Sequence, residues 1–175
     1  MEYWTRGDTS LLEYPVRIAV MGTDRPDPST ITSVPYILSR RISSKEDTVI
    51  LAGLATETER EVIRVCIARK IPYIPILPMG TCATLARHYE LLKYSNLWVS
   101  VVPPYTVYKI NRTPMIYALM AELCTMAIGM QFGKKSSITE ILLNLNKPVY
   151  VRNMPAAGNQ ILLRSGKAKK AMRIE

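Results

Sequence analysis

Three short stretches of the 175-residue chain place cations, hydroxyls and glycine where an apolar run gives way to a helix. The first is Gly22, Thr23, Asp24 and Arg25, directly behind VRIAVM. The second is Lys109, Asn111 and Arg112, just ahead of Thr113 and Pro114. The third is Gly133, Lys134, Lys135, Ser136 and Ser137, which opens ITEILLN. A helix start carries unpaired N–H groups and about half a positive charge, so fixed cations and hydroxyls added there make an anion site from simple parts. Glycine behind a strand lets the backbone turn tightly enough for N–H groups to face the anion. Three stretches agreeing on one sign point to a phosphate-bearing ligand. No Walker motif and no G-x-G-x-x-G turn is present.

Other reactive residue types offer less. Ser137 and Glu140 stand in S-x-x-E spacing, the pattern of a capping box, which explains both residues without chemistry. A working carboxylate at Glu140 is the competing reading. His88 is the one histidine and falls within a helical stretch beside Arg87, with no second histidine to share a metal. Cys66, Cys82 and Cys124 are odd in number and widely spaced, so they form neither a disulfide framework nor a C-x-x-C metal pattern. No metal and no cofactor is expected. Tyr105 and Tyr108, in the long VVPPYTVYKINRTP connection, could stack on bases or staple the loop to the domain.

These residues need a scaffold that brings three loops to one edge. With 48% hydrophobic residues the chain is long enough for one sizeable core. Short β-branched runs at 16–22, 48–52, 73–77, 97–102, 124–129 and 148–151 alternate with helical stretches near 29–44, 57–70, 82–94, 114–122, 137–146 and 159–165. That alternation predicts an α/β domain, a doubly wound, mostly parallel Rossmann-like sheet of about six strands with helices on both faces. In such sheets ligands bind beyond the carboxyl ends of the strands, where strand order reverses. Glu57, Glu59 and Glu61 suit the first turn of the second helix, and Thr113 followed by Pro114 reads as an N-cap with proline at the first helical position. Residues 1–15 read as an N-terminal extension, 16–166 as the domain and 167–175 as a solvated basic tail.

The net charge of +9 suits a polyanionic partner. No apolar run reaches the roughly 18 residues a membrane-spanning helix needs. MEYWTRGDTS has no apolar core of a secretion signal, so a cytoplasmic protein is expected.

The stretch INRTPMIYALMAELCTMAIGMQFGKKSSITEILLNLNKPVYV, followed by AAGNQILLRSGKAKKA, resembles the Rossmann domain of DprA (Smf), the DNA-processing family that binds single-stranded DNA and loads the RecA recombinase. AVMGTD and LAGLA resemble that family's first glycine turn and its S-G-L-A segment. Two departures stand out. Gly22-Thr23-Asp24 replaces glycine-serine-arginine, and Thr56-Glu57-Thr58-Glu59 replaces arginine-glycine-isoleucine-aspartate. The resemblance implies a non-catalytic domain that binds single-stranded DNA or a nucleotide, a homodimer, and a RecA-type recombinase as partner. DprA is also related to the LOG phosphoribohydrolases, whose active-site arginine and glutamate match Arg112 and Glu140 in position. A nucleoside-monophosphate N-glycosidase is therefore the second reading, and a nucleotide-sensing or assembly protein the third.

Overall fold

The computed structural model describes every residue except 43, 84–87, 108, 109 and 173–175. Eight strands form one sheet: β1 (Trp4–Gly7), β2 (Val16–Met21), β3 (Thr48–Gly53), β4 (Tyr73–Leu77), β5 (Leu97–Ser100), β6 (Met126–Gly129), β7 (Val149–Val151) and β8 (Lys169–Lys170). Their order across the sheet is β1-β5-β4-β3-β2-β6-β7-β8, parallel throughout except for the antiparallel pair of β1 with β5. The connecting helices are α1 (Pro28–Arg41), α2 (Glu57–Arg69), α3 (Tyr89–Leu92), α4 (Thr113–Leu123), α5 (Ser137–Asn144) and α6 (Ala157–Arg164). This is the predicted doubly wound α/β fold.

Alternation along each central strand builds the two faces. Ile18 and Val20 of β2 point into one apolar layer with Val34 and Ile37 of α1 and Val62 and Cys66 of α2. Ala19 and Met21 point into the other, with Ile116 and Met120 of α4, Leu142 of α5 and Leu162 of α6. Covering both faces explains why β3 is buried at every position and reads as a continuous apolar run.

From β2 the chain winds outward through β3, β4 and β5, then α4 carries it back past β2 to β6. Strand order therefore reverses between β2 and β6, and the crevice expected of this fold opens there.

Both ends depart from the expected division. Residues 1–15 are no loose extension: β1 pairs Trp4 with Ser100 and Gly7 with Leu97, and Leu11 is buried in the core. The basic tail likewise supplies β8, whose Tyr150–Lys169 and Val151–Lys170 pairs extend the sheet. Ala168 and Ala171 turn inward, and the Arg41 guanidinium fastens the segment by donating to the Ala171 carbonyl at 2.9 Å while lying 3.7 Å over the Tyr150 ring. Lysine-rich composition hid two small buried alanines three residues apart. The strand expected over 97–102, β5, ends at Ser100, where the Ser100 hydroxyl turns onto the Met79 and Val102 carbonyls. Of the helix expected over 82–94, residues 84–87 lie outside the description, and Tyr89–Leu92 is the helical part of the rest.

Candidate phosphate-binding site

A helix that follows a parallel strand starts at the strand's carboxyl end, so α1, α2, α5 and α6 begin on one edge of the sheet, as does α4, which leads into β6. The loops behind β2 and β6 touch directly. The Thr23 N–H donates to the Gln131 carbonyl at 2.8 Å, and the Gln131 side-chain oxygen accepts from the Asp27 N–H at 2.8 Å and the Thr30 hydroxyl at 2.7 Å.

The first loop is organised around α2 rather than around an open anion cradle. A Cβ on Gly22 would sit 2.4 Å from the Thr58 methyl group, so glycine here permits helix packing. The Thr58 hydroxyl donates to the Thr23 carbonyl at 2.7 Å, and the Glu57 N–H donates to the Asp24 carboxylate at 3.1 Å. Asp24 and Glu57 both pair with Arg60, and Glu57 also meets Arg64. The Arg64 guanidinium holds the Glu57 carboxyl below its ordinary range, a shift that burial partly opposes. Arg25 is exposed on this loop.

The second loop is part scaffold. Lys109 lies outside the described residues, and Asn111 is exposed in a short 3₁₀ turn, Ile110–Arg112. Arg112 is half-buried, and its Nη1 donates to the Pro78 carbonyl at 3.1 Å and the Val107 carbonyl at 2.7 Å, tying the long connection to the end of β4. Arg112 itself, not Thr113, occupies the N-cap position of α4.

The third loop is the open one. Ser136 caps α5 by accepting from the Ile138 N–H at 3.2 Å, so the expected Ser137–Glu140 capping box does not form. Lys134 and Lys135 are exposed, and no described group accepts from the N–H groups of Lys134, Lys135 or Ser137. A Cβ on Gly133 would meet nothing within 4 Å, which leaves the approach clear. Glu140 is exposed beside Ala118 and Ala121 in the middle of α4, away from Arg112 at its start.

Sequence reasoning missed the residues that hold this loop. Asn159, fully buried, accepts from the Phe132 N–H at 3.1 Å and donates to the Met130 carbonyl at 2.9 Å and the Arg152 carbonyl at 2.8 Å. It thereby clamps β6, the loop and β7 together. Arg152 donates to the Thr30 and Ser29 hydroxyls at 2.9 and 3.0 Å at the start of α1, and burial pulls its pKa below the ordinary arginine value. Glu59, fully buried, accepts from the Thr56 N–H at 3.3 Å, while Thr56 accepts from the Glu59 N–H, a capping box on α2. The Tyr117 hydroxyl links the same region to β2 by donating to the Gly22 carbonyl at 3.3 Å.

No protein-family model matches the chain, and no curated protein sequence matches it. Solved structures do. A structure of DNA processing protein A from Helicobacter pylori, solved to describe that protein's single-stranded DNA binding mode, superposes with a TM-score of 0.80 at 22% identity, over 98% of this chain and 82% of that one. DNA processing protein A from Streptococcus pneumoniae gives 0.82 at 18%, over 96% of this chain and 62% of that one. This chain thus spans less than two thirds of the Streptococcus protein's length. The molybdenum cofactor carrier protein of Chlamydomonas reinhardtii follows at 0.60 and 14%, over 89% and 88%. The order of strands and these superpositions together give the chain a DprA-like Rossmann fold.

Proposed function

We propose that the carboxyl edge of the sheet binds single-stranded DNA through its phosphates and performs no chemistry on it. The observation that carries this reading is the start of α5: three N–H groups without an acceptor among the described residues, two exposed lysines and a glycine with open space before it. Ser136, Ser137 and the free N–H groups would take one phosphate at close range, and Arg25, Lys109, Lys134 and Lys135 the flanking charge. Asn111 and the unspent side of Arg112 would line the neighbouring stretch of the strand, and the Gly22–Thr23 turn would shape the floor beneath it. No observation favours Glu140 as a catalytic group. A homodimer, a RecA-type recombinase partner and a cytoplasmic setting belong to this reading as proposals, supported by the family resemblance.

Titration of a short single-stranded oligonucleotide at several salt concentrations tests it. Each phosphate contact on a single strand contributes about 0.7 to the slope of log affinity against log salt. The double variant Lys134→Ala/Lys135→Ala should therefore lower the slope by about 1.4 and weaken binding to all sequences alike. An unchanged slope removes the site from α5. Binding of a mononucleotide but not the oligonucleotide would shift the ligand to a nucleotide, and release of free adenine from AMP would replace the binding role with hydrolysis.

A further inference from the structure

A cavity of about 520 Å³ lies at the opposite, amino edge of the sheet, between the end of α2, the start of β4 and the turn before β5. Its size falls in the roughly 300–1,000 Å³ range of small-molecule sites. Leu11, Ile67 and Ile71 give it an apolar floor. Tyr14 and Tyr94 supply aromatic surface at its rim, and Tyr94 is 60% exposed before any ligand covers it.

The polar groups around it divide sharply. Those that could react are already engaged. The Tyr73 hydroxyl donates to the Leu91 carbonyl at 2.6 Å, and the Ser95 hydroxyl sits 2.8 Å from both the Tyr73 and Leu97 carbonyls. The Cys66 thiol is fully buried in the wall, and burial pushes it up to about 12, so it is inert as a nucleophile. The groups that could bind are unengaged. Lys70 and Asn96 line the cavity, both are exposed, and the side chain of neither makes a hydrogen bond or ion pair with any described residue. Lys70 is held in place by its backbone, a left-handed C-cap with φ 54° whose N–H donates to the Cys66 and Ile67 carbonyls.

The cavity thus offers an apolar floor and, beside it, an exposed cation and an exposed amide without partners among the described residues. An acid group on an apolar, ring-bearing body matches both. We propose that this cavity binds a small aromatic monoanion, its ring on the apolar floor and its acid group on Lys70 and Asn96. The site is distinct from the phosphate edge and is independent of the reading given to it.

Isothermal titration of the full chain with 2-naphthoate, and with neutral 2-naphthalenemethanol of nearly the same shape, tests the proposal. The acid should bind with a Kd below about 1 mM and at least about tenfold more tightly than the alcohol, the discrimination expected of one charge-assisted contact. Lys70→Asn, a residue that tolerates the left-handed backbone, should reduce that ratio to about threefold or less. Ile67→Trp, at a half-exposed position, should fill the cavity and abolish binding of both compounds. Lys134→Ala/Lys135→Ala should leave the acid's affinity unchanged. The proposal is overturned by any of four results: no binding of the acid, equal affinity for acid and alcohol, naphthoate binding that survives Ile67→Trp in a folded variant, or loss of binding in the double lysine variant.

Discussion

Replacing Asn159 with alanine should lower the stability of the fold by about 3 kcal/mol or more, and should abolish the salt-dependent binding assigned to α5. The side chain is fully buried and serves three backbone groups at once: the Phe132 N–H, the Met130 carbonyl and the Arg152 carbonyl. Truncation leaves a buried donor without a partner, and each such orphan costs roughly 1–3 kcal/mol. The loop has little freedom to relax. A Cβ on Gly158 would lie 2.5 Å from the Phe132 ring and one on Gly129 2.4 Å from it, so the phenyl group fills the gap between β6 and the start of α6. Asn159→Asp separates packing from hydrogen bonding. It keeps the shape and can still accept from Phe132, but it sets an oxygen against two carbonyls that need a donor. At neutral pH it should be at least as damaging as alanine. Urea unfolding midpoints for both variants check this, and a midpoint unchanged in either would show that the three contacts are dispensable.

The asparagine shows how far the sequence could be read. It lies in the AAGNQILLRSG stretch that carried the family resemblance, yet nothing in residue type or spacing announced that its amide would reach back across 27 residues to Phe132. The same limit applies to the loops. Type and position correctly brought the turns behind β2 and β6 to one edge, because parallel strands joined by helices leave no other arrangement. Which groups would be free at that edge depended on partners distant in the chain. Gly22 looked like a backbone made for an anion, but Thr58 packs against it and Gln131 accepts from the next N–H. Arg112 looked like a free cation, but two carbonyls already share its Nη1.

Local signals were legible but easily misassigned. The S-x-x-E pattern at Ser137 and Glu140 predicts a cap at Ser137, but the N-cap lies one residue earlier, at Ser136. The equivalent T-x-x-E at Thr56 and Glu59 does form a capping box. The two edge strands were missed for a different reason. An edge strand buries little, so β1 and β8 carry Thr, Arg and Lys and no alternating apolar pattern to find.

Glu59 gives the second large effect, and its sign follows from burial. The carboxyl group is fully enclosed, its Oε1 has no partner among the described residues, and a Cβ on Gly53 would lie 2.5 Å from its Oε2. Burial raises its pKa from 4.5 to about 7, against the smaller opposing effects of hydrogen bonds from Tyr117 and Thr56 and the charge of Arg60. Because the folded state holds the Glu59 proton more tightly than the unfolded state, folding takes up a proton between pH 4.5 and about 7. The Glu59 contribution is therefore complete below pH 4.5 and is lost as pH rises to about 7, a change of about 3 kcal/mol. Glu59→Gln keeps the acceptor for the Thr56 N–H without the charge. It should match the unaltered protein within about 1 kcal/mol at pH 5 and exceed it by about 2–3 kcal/mol at pH 8. Tyr117→Phe removes a hydrogen bond that favours the charged form, and should move the midpoint of this pH dependence upward. Urea unfolding across this range measures both variants. If the Glu59→Gln difference were the same at pH 5 and pH 8, the carboxyl would carry the same charge at both, and the raised pKa would be wrong.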